Sequence, residues 1–293
     1  MRARMPANPT ARRPLFIGID QTGAVIPGKP HLPRPLPCAW FDEVTARLGL
    51  LDQGLERFDP QLLRNQIGAP AKADRDLILL LDCVLGLPLP LGRLGFERAL
   101  SELQALERLN PLAPYGRKPA EEFFAKILQH YSESLPTRVC EKLAIANSVF
   151  KTRPYQKNIQ TGTYRLWRQL STHRKELKIW PFDSPKGPRG PRNPMQRPSL
   201  FLIEGYPSLL WRKIFGFKTR TPQKLAARLS DLGVRIDPAQ SRRLADDPNL
   251  ADAAVLAVGA WLLDRQGTLG RRPKVALPHC ATTPFEEGWI AGL

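Results

Sequence analysis

Three short apolar runs organise the chain, and each leads into an acid and then a turn residue. Leu15 to Ile19 is followed by Asp20 and Gly23, and Leu200 to Ile203 by Glu204, Gly205 and Pro207. Leu77 to Val84 is apolar apart from Asp82 and stops at Gly86 to Pro90. Runs of this length between turn signals predict buried strands. Phe41 to Phe58 places Val44, Leu48, Leu51 and Leu55 at helical spacing and predicts an amphipathic helix. The five prolines between Pro27 and Pro37 allow only an edge strand or an irregular connection there.

The middle of the chain predicts helices. Phe96 to Leu109 repeats Phe96, Leu100, Leu103 and Leu106, Pro119 opens a segment over Glu121 to Tyr131, and Arg138 to Phe150 continues the pattern. These form a helical insertion at about 95–150. Thr221 and Pro222 predict the start of a helix that Gly233 ends. Pro248 to Gln266 is apolar nearly all round, which requires burial, and Asp252 is the exception. Residues 183–198, rich in Pro, Gly and Arg without apolar periodicity, read as a loop, and 1–14 as a basic flexible tail.

The pattern thus predicts an α/β protein, with residues 15–293 as one domain. Its 293 residues and 42% hydrophobic content are enough for a sizeable core. Charge adds a partner: 44 Lys and Arg against 27 Asp and Glu leave +17, which attracts phosphate backbones in a salt-dependent way. Nucleic acid is the expected partner. The four cysteines have no paired spacing, so a zinc module or disulfide framework is not indicated and a reduced, cytoplasmic setting is expected. The Leu77 to Leu91 stretch is broken by Asp82, Pro88 and Pro90, so no membrane span is expected.

Asp20, Asp82, Glu204 and Asp252 are the candidate catalytic residues. An ionised carboxylate beside apolar segments needs hydrogen bonds, a cation or a metal, because burying it unpaired costs several kcal/mol. Hard cations such as Mg²⁺ or Mn²⁺ bind carboxylate oxygens, and a pair of them about 3.5–4 Å apart can serve phosphodiester hydrolysis. Strand ends of an open α/β sheet are where such sites form. The four acids are therefore expected as ligands of Mg²⁺ or Mn²⁺ in a nuclease. Lys151, Arg153, Tyr155, Lys157, Tyr164, Arg165, Trp167 and Arg168 interleave cations and aromatics, which suits phosphate contacts with base stacking. An alternative for the end of this segment is a helix from Thr161 with Leu166 and Leu170 inward and its charges solvated.

FIGIDQTGA at Phe16–Ala24, LLLDCVLGLP at Leu79–Pro88, IEGYPSLLW at Ile203–Trp211, DAAVLAVGAW at Asp252–Trp261 and EEGWIAGL at Glu286–Leu293 together resemble the domain-of-unknown-function 429 family, regarded as predicted ribonuclease H-like nucleases. The resemblance implies a ribonuclease H-like mixed central sheet flanked by helices. It assigns Asp20 the first-strand acid, Asp82 and Glu204 the later strand ends and Asp252 the final helix, all as divalent-metal ligands. IGIDQTGA is also similar to the first phosphate loop of the sugar-kinase, actin and chaperone ATPase superfamily, which would imply a phosphotransferase or ATPase. A third possibility is a nucleic-acid-binding protein that keeps the fold without turnover.

Overall fold

The computed structural model describes residues 13–21, 23–71, 75–133, 135–151, 159–184, 188, 199–271 and 286–293. Its centre is β1 (Leu15–Ile19), reached in space by two partners of different kinds. After a small ribbon of β2 (Val25–Ile26) and β3 (Lys29–Pro33), turned at Gly28, β4 (Cys38–Asp42) returns antiparallel to β1, and β5 (Arg47–Leu50) pairs antiparallel with β4. On the other side β6 (Leu77–Leu81) runs parallel to β1, and β8 (Leu200–Glu204) parallel to β6. The short β7 (Leu177–Ile179) closes that edge, also parallel, giving a six-stranded mixed sheet in the order β5-β4-β1-β6-β8-β7.

The strands β1, β6 and β8 are buried at every position, as near-continuous apolar runs must be when helices cover both faces. Strand alternation sorts their side chains into two cores. Leu15, Ile17, Ile19, Leu77, Leu79, Leu81, Leu200 and Leu202 face one core, while Phe16, Ile78, Leu80, Phe201 and Ile203 face the other. The first core is covered by α2 (Gly92–Leu109) and α5 (Ile159–Thr172), with α3 (Arg117–Leu128) packed on α5. The helices expected near 95–150 thus extend a layer of the main core. The last of them is shorter than expected: α4 (Val139–Ala144) ends where Ile145 takes φ +56°.

The second core is covered by α9 (Pro248–Arg265), which lies directly on β1. Glycine makes that approach possible: a Cβ on Gly18 would lie 1.9 Å from the Ala253 carbonyl oxygen. Around α9 sit α6 (Pro207–Lys213), α7 (Pro222–Asp231) and α8 (Pro238–Asp246). A further helix, α1 (Pro60–Ile67), begins where Asp59 accepts hydrogen bonds from the Gln61 and Leu62 amides. Both α8 and α9 begin the same way, on Asp237–Pro238 and Asp247–Pro248.

The helix expected over Phe41 to Phe58 is instead the β4–β5 hairpin, with the rest of the segment irregular. Its helical spacing is real, but Val44 is exposed in the turn, and Ala46 at φ +51° turns the chain back. Pairing with the central sheet outweighs weak local preference. Gly49 stands opposite Trp40, whose ring takes up the space a side chain there would need. Of the expected loop at 183–198, residues 185–187 and 189–198 lie outside the described residues, as do 1–12 of the expected tail.

Candidate functional site

The parallel register places three of the four expected acids along one edge. Ile19 stands opposite Leu81, and Leu81 opposite Glu204. Asp20 and Asp82 each lie one residue beyond that line, joined by the Asp82 amide donating to the Ile19 carbonyl at 3.0 Å. Asp20 is buried and Asp82 half-buried. Asp82, Glu204, Glu141 and Asn147 line a cavity of about 30 Å³, room for one or two waters.

Glu204 is occupied. The Arg138 guanidinium grips it with Nη1 to Oε2 at 2.8 Å and Nη2 to Oε1 at 2.5 Å, and the Leu85 amide donates to Oε2 at 2.8 Å. Arg138 also donates from Nε and from its own amide to Glu141, at 3.1 and 2.8 Å. Glu287 completes the cluster, accepting from the Leu89 and Val139 amides at 2.9 and 3.0 Å. Burial works against the Arg138 charge, yet the facing Cys140, Glu204 and Glu141 hold its pKa well above the ordinary value. Burial pushes the Glu141 carboxyl up, against the pull of Arg138.

Asp252 is fully buried on α9 and lies at a second place, against α6. It accepts from the Trp211 indole at 2.8 Å and pairs with the Arg220 guanidinium. Glu204 and Asp252 are thus each held by an arginine. Among the described residues, no group of three or more His, Cys, Asp or Glu side chains is disposed to hold a metal ion.

The basic and aromatic segment also has a different setting from the one expected. Every side chain from Gln160 to Ser171 on α5 is buried. Trp167 donates to the Val84 carbonyl at 2.6 Å and packs edge-on against Phe96. Arg168 pairs with Glu107, donates to the Ala113 and Pro114 carbonyls and lies 3.7 Å over the Tyr115 ring. Tyr164 packs at a tilt against Phe123, and Arg165 donates to the Arg34 carbonyl, burial lowering its pKa to about 9. These residues form an interior layer, not a wall that bases could stack on, and their charges are not solvated either. The half-buried Lys151 bonds Asn147 at 2.6 Å, and Arg153, Tyr155 and Lys157 lie outside the described residues.

Compared with models of known families, with curated proteins and with solved structures, the chain matches none. Its chemistry is therefore read from its own residues. Burial pushes the thiols of Cys83 and Cys140 well above their ordinary range and that of Cys38 likewise, so none of the three is a thiolate nucleophile at neutral pH. No helix among the described residues is long and apolar enough to cross a membrane.

The residues sequence reasoning missed are Arg138, which holds Glu204; Glu141 and Glu287, which bond Arg138 and the amides beside it; and Arg220, which holds Asp252. A basic residue within reach of each buried acid was the signal to look for, but three-dimensional proximity alone identifies which one.

Proposed function

We propose that the chain is a divalent-metal-dependent hydrolase of nucleic-acid phosphodiesters, built on a ribonuclease H-like sheet. The observation that carries this reading is the placement of Asp20 and Asp82 side by side, at the carboxyl ends of adjacent parallel strands. The sheet supports it: an antiparallel β1-β4-β5 unit joined to parallel β6 and β8 is the mixed arrangement the sequence resemblance implies. The net charge of +17 supplies attraction for the polyanion.

The four acids do not fit a single metal cluster, because Glu204 and Asp252 are engaged by arginines. Asp20 and Asp82 fit a smaller requirement, since Mg²⁺ is commonly held by one or two carboxylates with waters and substrate phosphates completing its shell. Bound there, Mg²⁺ or Mn²⁺ would supply Lewis-acid polarisation of the phosphoryl oxygen and a lowered pKa for the attacking water. The protein's own contribution is positional. Parallel pairing fixes the two carboxylates' backbones, and the Arg138 cluster fixes the adjoining end of β8.

Cleavage of labelled DNA and RNA substrates with Mg²⁺ or Mn²⁺, by wild type, Asp20→Asn and Asp82→Asn purified identically, tests the reading. Loss of cleavage in both variants with unchanged folding is expected, and equal cleavage by all three would overturn it. The arginine pairing of Glu204 and Asp252 favours a second reading, a nucleic-acid-binding protein without turnover; salt-sensitive binding with no cleavage by wild type would select it.

A further inference from the structure

Beside the acid edge lies a second cavity, of about 310 Å³, with a different chemistry. Tyr206, Ser208, Arg212, Lys218, Thr219 and Arg220 line it, over the buried face of Trp211. Three cations, Arg212, Lys218 and Arg220, line it, and none of its lining residues is acidic. Arg220 alone has an acidic partner, Asp252, beneath it. Arg212, whose Nε donates to the Ser208 carbonyl at 3.2 Å, and Lys218 form no ion pair among the described residues, so of those residues Asp252 alone offsets the cavity's three positive charges. Hydroxyls from Ser208, Thr219 and Tyr206 add donors that can turn toward an anion.

We propose that this cavity is a phosphate-binding site, taking one phosphate group of a nucleic-acid strand that continues toward the adjoining Asp82-lined cavity. The identity of the anion as nucleic-acid phosphate rests on the function proposed above; the cavity's preference for phosphate does not. Arg220 is the pre-set element. The carboxylate of Asp252, itself steadied by the Trp211 indole, holds one side of the guanidinium, leaving its remaining N–H groups for a ligand. Arg212 and Lys218, exposed on the same cavity, supply the remaining charge for it. Tyr206 lines this cavity and the acid-lined one, so the two adjoin along a single residue.

The test is equilibrium binding in EDTA, where no metal-dependent cleavage can occur. Two probes are titrated: inorganic phosphate, and a thymidine dinucleotide with one internal phosphodiester and no terminal phosphate. Binding is followed by tryptophan fluorescence and calorimetry. The double variant Arg212→Gln/Lys218→Gln removes exposed side chains outside the core, and Lys118→Gln/Lys126→Gln on α3 removes the same charge elsewhere. Saturable binding by wild type, weakened about tenfold or more in the cavity variant by loss of charged hydrogen bonds, is expected, with the α3 variant within about twofold of wild type. A response to inorganic phosphate alone assigns the site to a terminal phosphate, and a response to the dinucleotide assigns it to an internal one; both uphold it. Equal weakening in the two variants, or no saturable binding of either probe, overturns it. Intact cavity binding without cleavage would sink the nuclease reading and leave the site standing, and cleavage unaffected by a cavity that binds neither probe would do the reverse.

Discussion

Glu204, the last residue of β8, and Arg138, the residue before α4, form a two-pronged ion pair at 2.8 and 2.5 Å with almost no solvent exposure. The pair ties the sheet to the helical layer through charge rather than through apolar packing. Such an arrangement is costly to break from one side, because the partner's charge stays buried. Here the exposure of Arg138 is zero, and two carboxylates, Glu204 and Glu141, depend on it.

Arg138→Met is therefore expected to destabilise the protein by about 3–5 kcal/mol, the range for removing one partner of a buried pair. Urea unfolding measures it. Glu204→Gln keeps the shape and removes one of the two carboxylates, and should cost less. A loss below about 1 kcal/mol for Arg138→Met, the scale of a surface pair, would show that the cluster is not closed to water.

Gly18→Ala tests the seat of α9 on β1. The added methyl would meet the Ala253 carbonyl oxygen at 1.9 Å and the Ala257 amide nitrogen at 2.6 Å, both backbone atoms that a rotamer change cannot move. The variant should lose about 3 kcal/mol or more, the upper range for overpacking, or fail to accumulate as folded protein. Thermal melting against wild type decides it.

Arg168→Lys separates the interior role of α5 from the expected nucleic-acid contact. Lysine retains the charge but cannot reach Glu107 and the Ala113 and Pro114 carbonyls together, nor stack flat on Tyr115. Stability should fall by about 1–3 kcal/mol. The salt slope of nucleic-acid binding, measured at several salt concentrations, should be unchanged, because the side chain meets no phosphate.

Stability at acid pH should depend on Asp42. Burial pushes its carboxyl up, but the Arg75 guanidinium at 2.8 Å, with the Val44 amide and Thr45 hydroxyl, outweighs burial and holds it below its ordinary value of 3.8. The folded state then binds fewer protons than the unfolded one near that pH. The Asp42 contribution is therefore present above about pH 4 and is lost as pH falls through the lowered folded value. Urea melts between pH 2.5 and 6 should show a flatter acid limb for Asp42→Asn than for wild type.

The sequence made the central strands legible because burial on both faces leaves an unbroken apolar run, as in β1, β6 and β8. The buried helix α9 was equally legible, since only a helix covered all round is apolar all round. The β4–β5 hairpin was not, because Val44, Leu48, Leu51 and Leu55 satisfy a helical spacing by coincidence and the deciding contacts come from β1, over twenty residues away. α1 and α8 carried readable starts in Asp59–Pro60 and Asp237–Pro238 that weak apolar periodicity hid. At the site, the strand-end acids were visible as residue types, whereas their arginine partners were not. Nothing local links Arg138 to Glu204, 66 positions on, or Arg220 to Asp252. Buried cations on α5 were misplaced for the same reason, since their carbonyl acceptors lie on other segments.

The segment 286–293 sets a timing condition on synthesis. Its Glu287 bonds the amides of Leu89 and Val139, and its Ala291 amide donates to the Glu204 carbonyl, so three earlier stretches wait on it. Chains emerge from the ribosome amino end first. Arg138 and the end of β8 therefore leave the exit tunnel well before their last partner does, and the nascent protein holds the core's charged centre open until the segment 286–293 has emerged. A force-sensing arrest assay, stepping the stall point past residue 291, should register the closing of that centre as a late pull rather than a gradual one.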